Sequence, residues 1–189
     1  NGLGASSLAI GRSVISDSKM LKTARKRLKK SKLSVHSIPG FSKIRDLNMA
    51  IDHGVDIVRV GCNSTEIDII EKQVEFCKRK NTEVWGVLMM FHLIKSKKIY
   101  TEKIKFLKKI GLKKIIIMDS AGCLYPEEIK NIFNNLKKYN FETGIHAHNN
   151  LGFAMANSLI AVQNGCKIVD LSIRGFGAGA GNTQLETFL

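Results

Sequence analysis

Two histidines, His146 and His148, stand two residues apart in the run His146-Ala147-His148-Asn149-Asn150. Alternate residues of a strand project to one face. If that face lines a barrel interior, both imidazoles converge on one point, and neutral imidazole nitrogens suit a divalent transition metal. Two ligands do not complete such a site, so a carboxylate from another strand is required. Asp119 is one candidate, and an acidic residue on a strand outside this sequence is another. The alternative is a pair of polar side chains at a strand end, bound to water or backbone.

Asp119-Ser120 follows the apolar run Ile115 to Met118. A hydroxyl there can hydrogen-bond a substrate carboxylate, and Asp119 can support a histidine ligand from behind. Both residue types also cap helices and turns. Farther on, Gly175, Gly177 and Ala180 fit G-x-G-x-x-A. A dinucleotide fingerprint needs an acidic residue about twenty positions later, and the sequence stops first. A glycine loop after a strand also lets backbone amides approach an anion, or makes a close-packed turn. His36, His53 and His92 stand alone, and each defaults to a non-ligand. His53 beside Gly54 reads as a helix end. His92 follows Met89-Met90-Phe91 and falls near the site, and His36 shares strand parity with Ile38 and faces inward.

The elements that must position these groups follow a strict rhythm. A glycine- and serine-rich opening, Asn1 to Gly11, precedes a helix from Asp17 to Lys30. Leu33 to Ile38 reads as a strand stopped by Pro39-Gly40, and Ser42 to His53 as a helix. Val55 to Val60 is the next strand. Asn63 with Glu66 suggests a capping box, after which Ile67, Ile70, Val74 and Cys77 recur at helical spacing. Val84 to Met90 is a strand and Ser96 to Ile110 a basic amphipathic helix. Ile115 to Met118 is wholly apolar, as in parallel sheets buried on both faces. Pro126 with Glu127 and Glu128 suits a helix start. Thr143 to Ala147 is a strand, Leu151 to Asn164 a helix, and Lys167 to Ser172 the last strand. The repeat is about thirty residues, the size of a βα unit. This predicts an α/β fold, either a doubly wound sheet or a (β/α)8 barrel. The opening loop resembles one leaving an earlier strand, so we expect an incomplete TIM barrel of about six βα units. Residues 1–189 then form one domain, truncated at both ends. In both folds function gathers at the carboxyl ends of the strands, where the polar residues lie.

The chain has 189 residues and a net charge of +14. Its hydrophobic fraction of 44% excludes a disordered chain. No window approaches the ~18 apolar residues of a membrane span, and no signal-peptide pattern opens it. It starts at Asn1, as expected for a processed chain or a piece of a longer one. The cysteines, Cys62, Cys77, Cys123 and Cys166, form no C-x-x-C pair and read as reduced cytosolic thiols. The densest basic cluster runs from Arg25 to Lys32. It reads as a solvated helix end whose cations favour the dipole, and nucleic acid is not the expected partner.

Together the motifs resemble the family of 4-hydroxy-2-oxovalerate aldolases, the pyruvate-aldolase branch of the DRE-TIM metallolyase (HMG-CoA lyase-like) superfamily. The resemblance runs nearly end to end. It rests on Asn1-Gly2-Leu3-Gly4-Ala5-Ser6-Ser7, Ile38-Pro39-Gly40, Val58-Arg59-Val60, Thr65-Glu66, and Leu88-Met89-Met90 with His92. Asp119-Ser120-Ala121-Gly122, the histidine pair, Ala156-Asn157-Ser158 and the loop Gly175 to Asn182 complete it. It implies a Mn²⁺ site with His146 and His148 as ligands, and Ser120 and His146 as substrate contacts. The implied reaction is metal-dependent retro-aldol cleavage of 4-hydroxy-2-oxopentanoate to pyruvate and acetaldehyde, in aromatic hydrocarbon catabolism. The implied setting is cytoplasmic, with an acylating acetaldehyde dehydrogenase as partner. In this family the third ligand, an aspartate, lies beside an arginine with a histidine base shortly after, and a tyrosine comes later. None of these lies in this sequence, so no catalytic residue is assigned and the 189 residues alone are expected to be inactive. Asn149 stands for a usual histidine, Ala121 for a glycine, and His36 for an apolar pocket residue, which bears on aldehyde specificity. The other readings are a Claisen-type acyl-CoA condensing enzyme of the same superfamily, or a non-catalytic remnant that binds metal or an anionic partner.

Overall fold

The computed structural model describes residues 2–8, 11–94 and 97–189. Asn1, Ala9 and Ile10 of the opening loop, and the expected helix start at Ser96, lie outside the described residues. The elements are α1 (Asp17–Arg27), β1 (Ser34–Ser37), α2 (Ile44–Asp52), β2 (Ile57–Asn63), α3 (Glu71–Arg79), β3 (Glu83–Met89) and α4 (Lys97–Lys109). They continue with β4 (Lys114–Asp119), α5 (Pro126–Leu136), β5 (Glu142–Ala147), α6 (Ala154–Gln163), β6 (Ile168–Val169) and α7 (Leu185–Phe188). The strands form one six-stranded sheet in the order β1-β2-β3-β4-β5-β6. The pairs β1–β2, β4–β5 and β5–β6 are parallel. A doubly wound sheet reverses its strand order at a switch point, whereas a (β/α)8 barrel adds each strand beside the last. The unbroken order therefore selects an incomplete (β/α)8 barrel.

The chain divides into two compact units. The first runs to Cys62 and includes Asp68–Gly86. Val58 and Val60 of β2 and Val74 and Cys77 of α3 are fully buried there. A buried polar chain joins the end of β1 to its neighbours. Ser37 Oγ donates to Gln73 Oε1 at 2.7 Å, and Gln73 Nε2 donates to the Ser42 carbonyl at 2.8 Å. Ser42 Oγ donates to the Leu3 carbonyl, and the Leu3 N–H returns to the His36 carbonyl at 2.7 Å. The opening loop is thus fastened to the carboxyl end of β1. At the other end, Arg25 meets Asp56 at 2.8 Å. The Leu33 N–H first, and then Arg25, hold the Asp56 carboxyl below its ordinary range against the opposing effect of burial.

The second unit comprises Asn63–Ile67 and Val87–Leu189. Ile115, Ile116 and Ile117 of β4 are each 0% exposed, as a strand covered on both faces must be. α5 starts at Pro126, and the Glu128 carboxylate accepts the Tyr125 N–H at 2.9 Å. It buries Ile129, Ile132, Phe133 and Leu136, one helical stripe. Gly144 of β5 has no room for a side chain. A Cβ there would lie 2.9 Å from Ile168 Cβ and 3.0 Å from the Ile168 carbonyl, and would also strike Ile116 Cδ1.

Several sequence expectations are corrected. Asn63 ends β2 and its carbonyl accepts the Glu66 N–H at 2.9 Å. This turn is followed by a 3-10 stretch, Ile67–Ile70, and α3 has no side-chain cap. No capping box therefore forms from Asn63. α6 begins at Ala154 because Leu151 and Gly152 are spent on a turn, closed by the Gly152 N–H on the Asn149 carbonyl at 2.9 Å. β6 is only Ile168–Val169, because Ser172 leaves β5 to form a parallel bridge with Gln184. α1 stops at Arg27, since Leu28 is already extended.

Gly144→Val is expected to lower stability by about 1–3 kcal/mol through overpacking, read as a lower unfolding midpoint in urea. An unchanged midpoint would show that β4, β5 and β6 do not approach as described.

Candidate metal centre

Three loops at the carboxyl ends of β4, β5 and β6 build the site, all within the second unit. β4 and β5 pair from Lys114 with Glu142 to Asp119 with Ala147, which sets Met118 beside His146. The β4 loop and the segment after β5 are then laced together. The His148 N–H reaches the Asp119 carbonyl at 3.4 Å, and the Leu151 N–H reaches the Gly122 carbonyl at 3.1 Å. Gly122 has φ +57°, and a Cβ there would lie 2.6 Å from the Asn150 nitrogen. Both the left-handed backbone and the close approach demand glycine. The glycine-rich loop folds over the same segment. The Asn149 N–H donates to the Gly181 carbonyl at 2.9 Å, and His148 forms an antiparallel bridge with Asn182. This loop is a close-packed turn against the histidine segment, one of the alternatives left open by its sequence.

The histidine rings come together, with centroids 5.0 Å apart and planes 53° to each other. His146 Nδ1 is 2.8 Å from Asp170 Oδ2. That bond places the proton on Nδ1 when the ring is neutral, and leaves Nε2 with its lone pair. A carboxylate behind a ligating histidine in this way fixes its tautomer and orientation. Asp170 was not singled out in the sequence. Its signal was its place at the end of the last strand, a neighbour of the histidine strand in any ordered parallel sheet. His148 is held below the ordinary histidine value of 6.5, first by burial and then by repulsion from His146. The Ala178 backbone and the charge of Asp119 oppose this. An imidazole kept neutral is one prepared to act as a ligand.

The Asp119 carboxylate does not hydrogen-bond either histidine ring. Its carboxylate accepts the Cys123 N–H at 3.1 Å and the Leu124 N–H at 3.0 Å, shaping the turn before α5. Among the described residues no carboxylate completes a group of three ligands with His146 and His148. Asp119 groups instead with His92 and Cys123. Ser120 Oγ accepts the Met90 N–H at 2.9 Å. The Met90 carbonyl is taken by Ser64 Oγ at 3.0 Å. Met90 has φ +52°, a conformation rare for a side-chain-bearing residue, and two serines hold it. The Ser120 hydroxyl proton remains available as a donor.

The other motif residues serve the scaffold. Asn149 Oδ1 caps α6 by accepting the Ala154 N–H at 3.1 Å. Buried Asn157 donates to the Leu124 carbonyl at 2.8 Å, and buried Ser158 contacts Thr183 Oγ1 at 2.8 Å. These two bonds tie α6 to the β4 loop and to the segment beyond the glycines. His53 caps α2 and lies 2.7 Å from Ser18 Oγ. His36 lines a separate cavity of the first unit with Gly2, Leu3 and Asp17.

The HMGL-like family profile matches residues 3–189. A protein of Spirochaeta aurantia named 4-hydroxy-2-oxovalerate aldolase is 47% identical over 100% of this chain and 56% of its own length. A protein of the same name from Pectobacterium atrosepticum is 43% identical over 100% of the chain and 55% of its length. The chain thus spans about half the length of the curated relatives it matches. Among solved structures, the N-terminal domain of a Bacteroides vulgatus protein taken to be an aldolase superposes with a TM-score of 0.78 at 26% identity. It covers 97% of this chain and 62% of that one. The carboxyl transferase domain of Rhizobium etli pyruvate carboxylase gives 0.81 at 19% identity over 92% of this chain and 33% of that one, which supports the fold alone.

His148 is expected to titrate below 6.5 when its ring resonances are followed by NMR. A histidine held neutral in the fold protonates first in the unfolded chain. Its contribution to stability is therefore intact above 6.5 and is lost as pH falls below that value. Replacement by glutamine should flatten that acid-side loss, and a ring titrating at or above the ordinary value would contradict the burial described.

Proposed function

We propose, from the premise that this chain belongs to the HMGL-like family, that it carries part of the metal site of a divalent-metal-dependent pyruvate aldolase. In the longer protein this reading assigns cleavage of 4-hydroxy-2-oxopentanoate to pyruvate and acetaldehyde. The observation that carries it is the His146–Asp170 bond of 2.8 Å, with His148 5.0 Å away between ring centroids. This donor set suits a divalent cation, because two imidazoles are offered and one is fixed from behind by a carboxylate.

His146 and His148 would hold the ion, and Mn²⁺ is the ion proposed. Such a cation supplies a Lewis acid toward the keto oxygen of a 2-keto acid, where negative charge gathers as the carbon–carbon bond breaks. The chain's own residues do the rest. Asp170 engages Nδ1 of His146, which leaves Nε2 as the nitrogen with a lone pair to offer. Burial keeps His148 neutral, so the site does not repel a cation near neutral pH. Ser120 spends its oxygen on the Met90 N–H and turns its proton outward, where it can orient a substrate carboxylate. The remaining ligand, the arginine and the base that takes the 4-hydroxyl proton are assigned to the part of the protein outside these residues. So is the contact with an acylating acetaldehyde dehydrogenase that would consume the aldehyde, and a cytoplasmic setting goes with this reading. No described helix is long and apolar enough to cross a membrane.

In the protein at the full length of its relatives, His146→Ala should abolish metal-dependent release of pyruvate from 4-hydroxy-2-oxopentanoate while the circular dichroism spectrum is preserved. Retained Mn²⁺-dependent pyruvate release in that variant would overturn the assignment.

A further inference from the structure

The second unit holds another set of ligand atoms that the aldolase reading does not use. One ring nitrogen of His92, one carboxylate oxygen of Asp119 and Sγ of Cys123 all lie within 4.8 Å of one another. Among the described residues this is the group of three such ligands that the fold assembles. Its members come from two loops. His92 lies in the 3-10 turn Phe91–Ile94 after β3, and Asp119 and Cys123 bracket the turn after β4.

Each member has a reason to bind. His92 Nδ1 is buried and has no hydrogen-bond partner. A buried polar atom left so is unfavourable, and coordination, through this nitrogen or with it freed to bond a neighbour, removes that cost. Asp119 is only 1% exposed. Its two oxygens each accept one backbone N–H, but a carboxylate offers about four lone-pair sites, so both oxygens retain capacity. Cys123 is partly exposed while Cys62, Cys77 and Cys166 are buried. Burial pushes the Cys77 and Cys166 thiols up to about 11, which makes them poor ligands at neutral pH.

We infer that His92, Asp119 and Cys123 form a second cation site, separate from His146 and His148 and selective for a thiophilic divalent ion of the zinc class. Nitrogen, oxygen and thiolate together are a zinc-type donor set, whereas Mn²⁺ prefers oxygen and imidazole. Ligand atoms around tetrahedral zinc sit about 3.5 Å apart, given bonds of about 2.0–2.3 Å, so modest side-chain rotations close the triad. The fourth position is left for water. Such an ion would clamp the β3 loop to the β4 loop. It would act across the same seam as the Ser120–Met90 bond and so hold Ser120 in place. The inference does not depend on the aldolase reading.

The test is titration of the full-length protein with Co²⁺, read by the near-ultraviolet charge-transfer band that only thiolate ligation produces. The band should appear, saturate, be displaced by Zn²⁺, and survive in the His146→Ala/His148→Ala double variant. It should vanish in Cys123→Ala, and His92→Ala should weaken Co²⁺ binding by about tenfold or more, since a direct ligand is worth at least as much as an outer one. Absence of the band, its persistence in Cys123→Ala, or its loss with the histidine pair alone would overturn the second site. None of those outcomes depends on pyruvate release, so the two readings fail separately.

Discussion

A single short hydrogen bond, from His146 Nδ1 to Asp170 Oδ2 at 2.8 Å, gives the candidate centre its chemistry. It links the end of β5 to the residue after β6, and therefore requires the two strands to be parallel neighbours in a fixed register. That register is set by Gly144 opposite Ile168 and Ile145 opposite Val169. It is extended by the Asp170 N–H on the Ile145 carbonyl at 2.9 Å. The backbone bond holds Asp170 in line, and the side chain then reaches the imidazole. Packing in the strands thus decides the orientation of a ring at the loop.

The same economy recurs around the histidines. Several of the motif residues hold loops. Asn149 caps α6, Asn157 and Ser158 fasten α6 to its neighbours, and Gly122 lets Asn150 come close. The buried side chains of Asn157 and Ser158 bond to the Leu124 carbonyl and to Thr183, and buried hydrogen bonds of this kind favour a unique conformation. These bonds tie the loops to one another, as a metal centre needs if its donors are to be held before the ion arrives.

Much of this was legible in the amino-acid order. The thirty-residue rhythm, the wholly apolar Ile115 to Met118 and the i, i+2 histidines specify a parallel sheet and a converging pair, because both follow from local periodicity. Boundaries were less legible where tertiary bonds override propensity. Leu151 to Phe153 read as the start of a helix, yet they form a turn because Asn149 and Gly122 bond there. Asp119 looked like a partner for a histidine ligand. Its carboxylate accepts the amides of Cys123 and Leu124 and bonds neither ring of the pair, and the carboxylate that meets His146 is that of Asp170. Neither outcome is visible without the register of β5 against β6. The meeting of His92 with Cys123 was equally hidden, since it joins loops about thirty residues apart.

A crystal of the full-length protein grown with Mn²⁺ and measured at the manganese absorption edge shows whether the histidine pair holds the ion. An anomalous peak is expected in bonding reach of His146 Nε2 and of the His148 ring, with Asp170 still on His146 Nδ1. A protein that turns over substrate yet shows no peak there, or has His146 rotated so that Nδ1 faces the ion, would contradict it.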